Sequence, residues 1–182
     1  MPKKHHSPKS KPEFDQALLD LARVTRVVRG GRRFRFRATI VIGNRKGKVA
    51  LGVAKGSDVS DAISKAFNKA RKDLVTVTIV NGTIPHEVRY KYKSARVILK
   101  PAKKGRGIIA GGALRPVAEL AGITDLTAKI VGHGGKITNA MAAIKALTTF
   151  KKGRVQQTEK KEQASGNETI KEQHADSRVS KK

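Results

Sequence analysis

Apolar and polar side chains alternate with a period of two in the first third of the chain. Phe34, Phe36, Ala38, Ile40 and Ile42 fall on one face and Arg33, Arg35 and Arg37 on the other. That spacing predicts a half-buried strand over residues 32–42. Residues 18–29 predict a strand before it, with Arg23, Arg26 and Arg29 set among aliphatics. Gly30 and Gly31 join the two runs, a hairpin signal because tight two-residue turns need positive φ. Residues 43–47 predict a second turn. Residues 48–54 predict a third strand, with Val49, Leu51 and Val53 on one face. Ser57-Asp58 offers a helix N-cap. Val59, Ile63, Ala66, Phe67, Ala70 and Leu74 then recur at helical spacing. Three antiparallel strands and a covering helix form the first expected unit.

The second unit is less regular. The β-branched run 75–80 ends at Asn81-Gly82, a strong turn signal. Strand-like runs follow at about 84–92 and 94–100. Residues 101–107 make a basic, glycine-rich loop. Residues 108–112 lead into a helix over 113–121, closed by Gly122, with Pro116 tolerable in its first turns. A strand is expected at 126–131, then a flexible turn, then a helix capped by Thr138 that buries Met141, Ile144 and Leu147. The fold class is therefore α+β in two domains, 14–74 and 75–150. Residues 1–13 read as a disordered basic N-terminus. Residues 151–182 read as a disordered charged tail, since Val155, Ile170 and Val179 are its only large aliphatics. No repeat of fixed period is present.

Charge changes the picture most. The 182 residues carry a formal net charge of +26, with a pI of about 10.9. Residues 14–150 hold 27 basic and 8 acidic groups, so the charge belongs to the folded part and not to a tail. A folded surface of that sign calls for a polyanion, and the usual one is nucleic acid. The absence of Cys excludes disulfide frameworks and thiolate zinc sites. No apolar run approaches the roughly 18 residues that a membrane helix needs, and residues 1–11 lack the apolar core of a secretory signal. A cytoplasmic location with no membrane partner is expected.

The sharpest candidate site is the hairpin. Residues 23–37 hold seven arginines and no acid: Arg23, Arg26, Arg29, Arg32, Arg33, Arg35 and Arg37. Arms of seven residues reach roughly 23 Å, and guanidinium both pairs bidentately with phosphate and stacks on bases. The plainer reading is a solvated edge that resists aggregation, but seven uncompensated charges would repel one another. Arg45, Lys46, Lys48 and Lys55 form a second cluster, suited to the shape-based contacts of double-stranded-RNA domains. Lys103, Lys104 and Arg106 beside Gly105 and Gly107 resemble a phosphate cradle before a helix. That admits a small-molecule kinase, with Glu119 and Asp125 as the nearby acids, although the Gly-Lys-Ser/Thr pattern is absent. The five His show no metal or triad spacing. Tyr90 and Tyr92 suit either a base-stacking platform or a buried strand face. No catalytic group, metal, cofactor or homo-oligomer is expected.

Four segments then fall in one order: Arg23-Val24-Thr25-Arg26-Val27-Val28-Arg29-Gly30-Gly31-Arg32-Arg33-Phe34, the helix containing Ala66 to Arg71, Asn81-Gly82-Thr83, and Gly107-Ile108-Ile109-Ala110-Gly111-Gly112-Ala113. Together, over about residues 14–150, they closely resemble the bacterial small-subunit ribosomal protein S-five family. The resemblance implies a double-stranded-RNA-binding-like first domain with a β-sheet and one helix, and a left-handed βαβ-type second domain shared with elongation factor G and small-molecule kinases. It implies a structural, non-enzymatic constituent of the small (30S) subunit that binds 16S rRNA and acts in assembly and decoding accuracy. The mRNA would enter nearby, and ribosomal proteins four and eight would be neighbours. By the same resemblance, Arg29-Gly30-Gly31-Arg32 matches the hairpin tip beside the spectinomycin site, and Arg115 matches the position facing protein four. Pro116 stands where the family usually has Ala, and Gly135-Lys136-Ile137-Thr138-Asn139 replaces an Asn-Pro-Ile-Asn-like segment. A free-standing RNA chaperone or double-stranded-RNA module is the alternative that the same basic sheet would serve.

Overall fold

A computed structural model describes residues 13–132 and 134–150. β1 (Asp15–Val28), β2 (Gly31–Gly43) and β3 (Lys48–Gly56) form an antiparallel meander, followed by α1 (Val59–Lys72). β4 (Val75–Thr76) completes this sheet in the order β1-β2-β3-β4. The second sheet contains β5 (Val88–Tyr92), β6 (Ala95–Pro101), β7 (Ile108–Ile109) and β8 (Leu126–Ile130), in the order β5-β6-β8-β7. α2 (Leu114–Ala121) connects β7 to its parallel neighbour β8, and α3 (Lys136–Thr148) closes the described chain. The expected disordered ends, 1–13 and 151–182, lie outside the described residues except for Glu13.

Two apolar clusters hold the molecule together. Under α1, Ala38, Ile40, Ile42 and Ala50 pack on Ala62, Ala66 and Ala70. Small residues set this contact: a Cβ on Gly52 would collide with the carbonyl of Ala66. Ile63, Phe67 and Leu74, expected in the helix stripe, are only partly buried at its margin. The larger cluster lies on the opposite face of the first sheet. Val41, Val49 and Leu51 meet Leu114, Val117 and Leu120 of α2, with Val97, Leu99, Ile144 and Leu147 beyond. Each such side chain contributes roughly 1.5–3 kcal/mol when fully buried. The alternation had predicted a solvated second face. Instead the arginine face of β2 continues into buried Thr39 and Val41, so the base of the sheet is buried on both sides.

Four further expectations change. The β-branched run 75–80 pairs over only two residues, because Val77, Val80 and Ile84 turn into the core. Thus β4 lies in the first sheet, past the boundary expected before Val75. Asn81 (φ 48°) and Gly82 (φ 79°) make the expected turn, closed by reciprocal 2.9 Å hydrogen bonds between Val80 and Thr83. Thr138 is not a cap: α3 begins at Lys136 behind Gly135, and the Thr138 hydroxyl donates to the Gly135 carbonyl at 3.0 Å. In the hairpin, Val28 pairs with Gly31, so Arg29 and Gly30 form the turn and only Gly31 has positive φ, 129°.

The sheets are joined by backbone. Arg45 donates its N–H to the Leu120 carbonyl at 3.0 Å, and Gly47 donates to Ala121 at 2.8 Å. Gly122 ends α2 in the left-handed region (φ 93°), and a Cβ there would meet the carbonyl of Arg45. The second unit thus grips the turn between β2 and β3, and the free end of the β1–β2 ribbon points away from this joint.

Candidate nucleic-acid interface

Beyond the Ala22–Arg37 pair the ribbon leaves the core, with six residues in each arm (23–28 and 31–36) joined by the Arg29-Gly30 turn. The register assigns the charges to faces. Arg26 lies opposite Arg33, Val24 opposite Arg35, and Ala22 opposite Arg37, which also neighbours Lys55 of β3. Arg26, Arg33, Arg35, Arg37 and Lys55 therefore share one face. Val24, Val28, Arg26, Arg33, Arg35 and Lys55 help line a groove of about 550 Å³ there. Arg23 and Arg32 lie on the other face with Phe34, and the Arg23 guanidinium sits 3.8 Å from that ring's centroid. Arg29 is at the tip. Like charges directly opposite destabilise a ribbon, so Arg26 and Arg33 are placed for something other than stability.

Arg37 differs from the other six. It is half-buried and shares the Asp20 carboxylate, at 3.5 Å, with Lys136 of α3, at 2.9 Å. The Lys136 hydrogen bond, together with the charge of Arg37 and against the opposing effect of burial, holds the Asp20 carboxyl below its usual range. Arg37 anchors the base of the finger. Neither Asp20 nor Lys136 was legible as a partner of the other, since 116 positions separate them.

The second expected cluster is split. Lys55 joins the finger groove, whereas Arg45 and Lys46 sit at the opposite end of β3. Arg45 pairs with Asp15 at 2.8 Å and its backbone (φ 55°) is part of the joint. The backbone N–H groups of Lys46 and Lys48 donate to the side chain of Asn44 at 2.8 and 3.0 Å, which leaves both lysine side chains exposed.

Lys103, Lys104 and Arg106 are exposed on a loop shaped by Gly105 (φ 87°) and Gly107 (φ 74°). The phosphate cradle expected before a helix does not form, because β7 and Gly111-Gly112 separate this loop from α2. Asp125 is not an open metal ligand: it is 5% exposed and accepts from the Gly107 N–H at 2.8 Å and the Thr124 hydroxyl at 3.0 Å. The Gly107 N–H, ahead of the Thr124 hydroxyl, keeps this carboxyl below its usual range against burial. Glu119 pairs with Arg115 at 2.9 Å on the exposed side of α2. Among the described residues no three acidic or His side chains cluster to hold a metal. Tyr90 and Tyr92 face the core, so the stacking platform does not form. His86 packs edge-on against Phe150, and the other four His lie outside the described residues. Among the described residues no helix is long and apolar enough to cross a membrane.

Comparison with known proteins bears on the family of the chain. The model of the family described as "Ribosomal protein S5, N-terminal domain" matches residues 14–78. That of "Ribosomal protein S5, C-terminal domain" matches residues 90–161. The protein named small ribosomal subunit protein uS5 from Campylobacter jejuni subsp. jejuni serotype O:23/36 (strain 81-176) is 48% identical over 142 residues, 78% of this chain and 97% of the relative. Its counterparts from strains 81116 / NCTC 11828 and RM1221 match to the same extent. The kinase reading falls with these matches, which name ribosomal proteins and not enzymes. The chain, with its two sheets, its arginine ribbon and both family segments in order, belongs to the ribosomal protein S5 family.

Proposed function

We propose that the chain is a structural constituent of the small ribosomal subunit that binds 16S rRNA and supports subunit assembly and decoding accuracy near the path by which mRNA enters. The observation that carries this is the ribbon: seven arginines over both faces and the tip, with Arg26 directly opposite Arg33, and one carboxylate, Asp20, at the base. Arg23, Arg26, Arg29, Arg32, Arg33 and Arg35 meet phosphates on both sides, and the backbone of Gly30 and Gly31 allows close approach at the tip. Lys55 extends the groove. Lys46, Lys48, Lys103, Lys104 and Arg106 make outlying contacts. Arg37 and Arg45 act as struts that also border the RNA. The mechanism is electrostatic and geometric, since the buried cores hold the charges in register while each neutralised phosphate releases counterions.

Two units serve this task, and their division is best placed after Thr76, where the first sheet ends. Ribosomal proteins four and eight are the expected protein neighbours, with Arg115 on the exposed side of α2 facing protein four. Binding of the full chain to 16S rRNA, titrated against salt, tests the reading. Arg29→Glu with Arg32→Glu is expected to keep the CD spectrum and lose specific binding. Unchanged affinity with a normal spectrum would overturn it.

A further inference from the structure

The second sheet has two unlike faces. Val88, Tyr90 and Tyr92 of β5, with Val97 and Leu99 of β6, face α2 and α3 in the core. The intervening residues face away, and no described element covers them. The register sorts these into rows. Lys91 lies directly opposite Arg96. Arg89, Ile98 and Lys129 form the next row, and Lys100 and Thr127 the one after it. Arg89, Lys91, Arg96, Lys100 and Lys129 are all exposed.

Glu87 compensates part of this charge, at 2.9 Å from Arg89 and 3.5 Å from Lys100. Lys91, Arg96 and Lys129 have no carboxylate partner among the described residues. Opposed like charges cost a sheet stability. The Lys91–Arg96 pair therefore repeats the arrangement of Arg26 and Arg33 in the finger, on a different sheet.

We propose that this uncovered face is a second docking surface for the RNA phosphodiester backbone, independent of the finger. Cations two residues apart along a strand are about 6.7 Å apart, and those opposed across strands are about 5 Å apart. One crossing phosphate strand can thus meet several of them at once. An acidic protein is the other polyanion to consider. The centre of a protein interface is depleted in charge and enriched in aromatics. Here Ile98, Thr127 and Ile109 are the uncharged residues on the face, which favours RNA. The proposal rests on the reading that the chain binds RNA, and it adds a site outside the finger, the loop and α2.

The test uses the full chain, 16S rRNA as one probe and poly-glutamate as the other. Lys91→Gln, Arg96→Gln and Lys129→Gln are combined, alone and on top of Arg29→Glu with Arg32→Glu. The triple variant is expected to weaken RNA binding about tenfold or more at 0.1 M salt and to flatten the log–log salt slope by about two to three, equally in both backgrounds. In the unmodified chain, bound RNA is expected to protect Lys91 and Lys129 from acetylation, a readout that does not depend on the variant folding. Unchanged RNA affinity and slope, with both lysines unprotected, would overturn the second surface. Loss of poly-glutamate binding alone would overturn it in favour of an acidic protein. If the triple variant acts and the finger variant does not, this surface stands and the finger reading fails.

Discussion

Lys136, at the first turn of α3, donates to the carboxylate of Asp20 in β1 at 2.9 Å. The two residues belong to different sheets' surroundings and lie 116 positions apart. Through this contact the base of the arginine finger is braced by the second unit. The bracing also draws in Arg37, which shares the same carboxylate. The finger is thus a rigid root with a free, cationic end.

Removing that brace changes little in global stability and more in the finger. Asp20→Ala is expected to lower unfolding free energy by about 1 kcal/mol or less, as for partly exposed ion pairs. The difference from wild type shrinks at high salt, where such pairs are screened. Chemical denaturation at low and high salt measures both effects.

Acid destabilises through Asp20 and Asp125. Both carboxyls titrate below the ordinary value of 3.8 in the folded chain. The unfolded chain therefore binds their protons first as pH falls. Their contribution is fully present well above 3.8 and is lost as pH falls below that value towards the folded-state pKa values. Asp125→Asn is expected to flatten the acid limb of the stability curve. Melting temperature followed from pH 6 to pH 2 checks the sign.

The glycines at the joint are not interchangeable with those at the finger tip. Gly122→Ala combines a left-handed φ of 93° with a collision at the Arg45 carbonyl, and strain of this kind costs of order 1–3 kcal/mol before the overlap is counted. Gly52→Ala forces α1 away from β3, an overpacking loss of about 1–3 kcal/mol. Gly30→Ala meets nothing within 4 Å and has no positive φ, so its effect on stability is expected to stay within about 0.5 kcal/mol. Three melting curves separate these cases.

Asp125 also fixes the basic loop. Asp125→Ala removes the acceptor that holds the Gly107 N–H at 2.8 Å. Hydrogen exchange at Gly107 is expected to accelerate while amides of β6 keep their protection, because Leu99 and Val97 remain in the core. Equal acceleration in β6 would show that Asp125 supports the whole sheet.

Much of this was legible in the residues. The period of two in residues 32–42 located the ribbon, and the helical stripe from Val59 located α1, because in each the apolar positions recur at the spacing of one face. Besides the Asp20–Lys136 contact, three features were not legible. Val49 and Leu51 were seen to share a face, but nothing local said that this face would meet α2 rather than α1. Arg45 looked like one more free cation, although its backbone caps α2 and its guanidinium meets Asp15. Asp125 was recognisable only as an acid, since its role depends on a loop 18 residues away. In each case the deciding partner is distant in sequence, and local pattern carries no information about it. Periodicity marked out the two units, and the family resemblance supplied the fold type of each, which periodicity alone left open.

The most direct test of the central claim is sucrose-gradient fractionation of a lysate, with this chain quantified across the fractions at low salt and at 0.5 M salt, where the Debye length is about 4 Å. The account predicts one copy per small subunit at both salts, because buried cores and fixed register hold the arginines against rRNA beyond what screened charge alone provides. A chain that moves to the top of the gradient at high salt would contradict it, and would leave a general polyanion binder in its place.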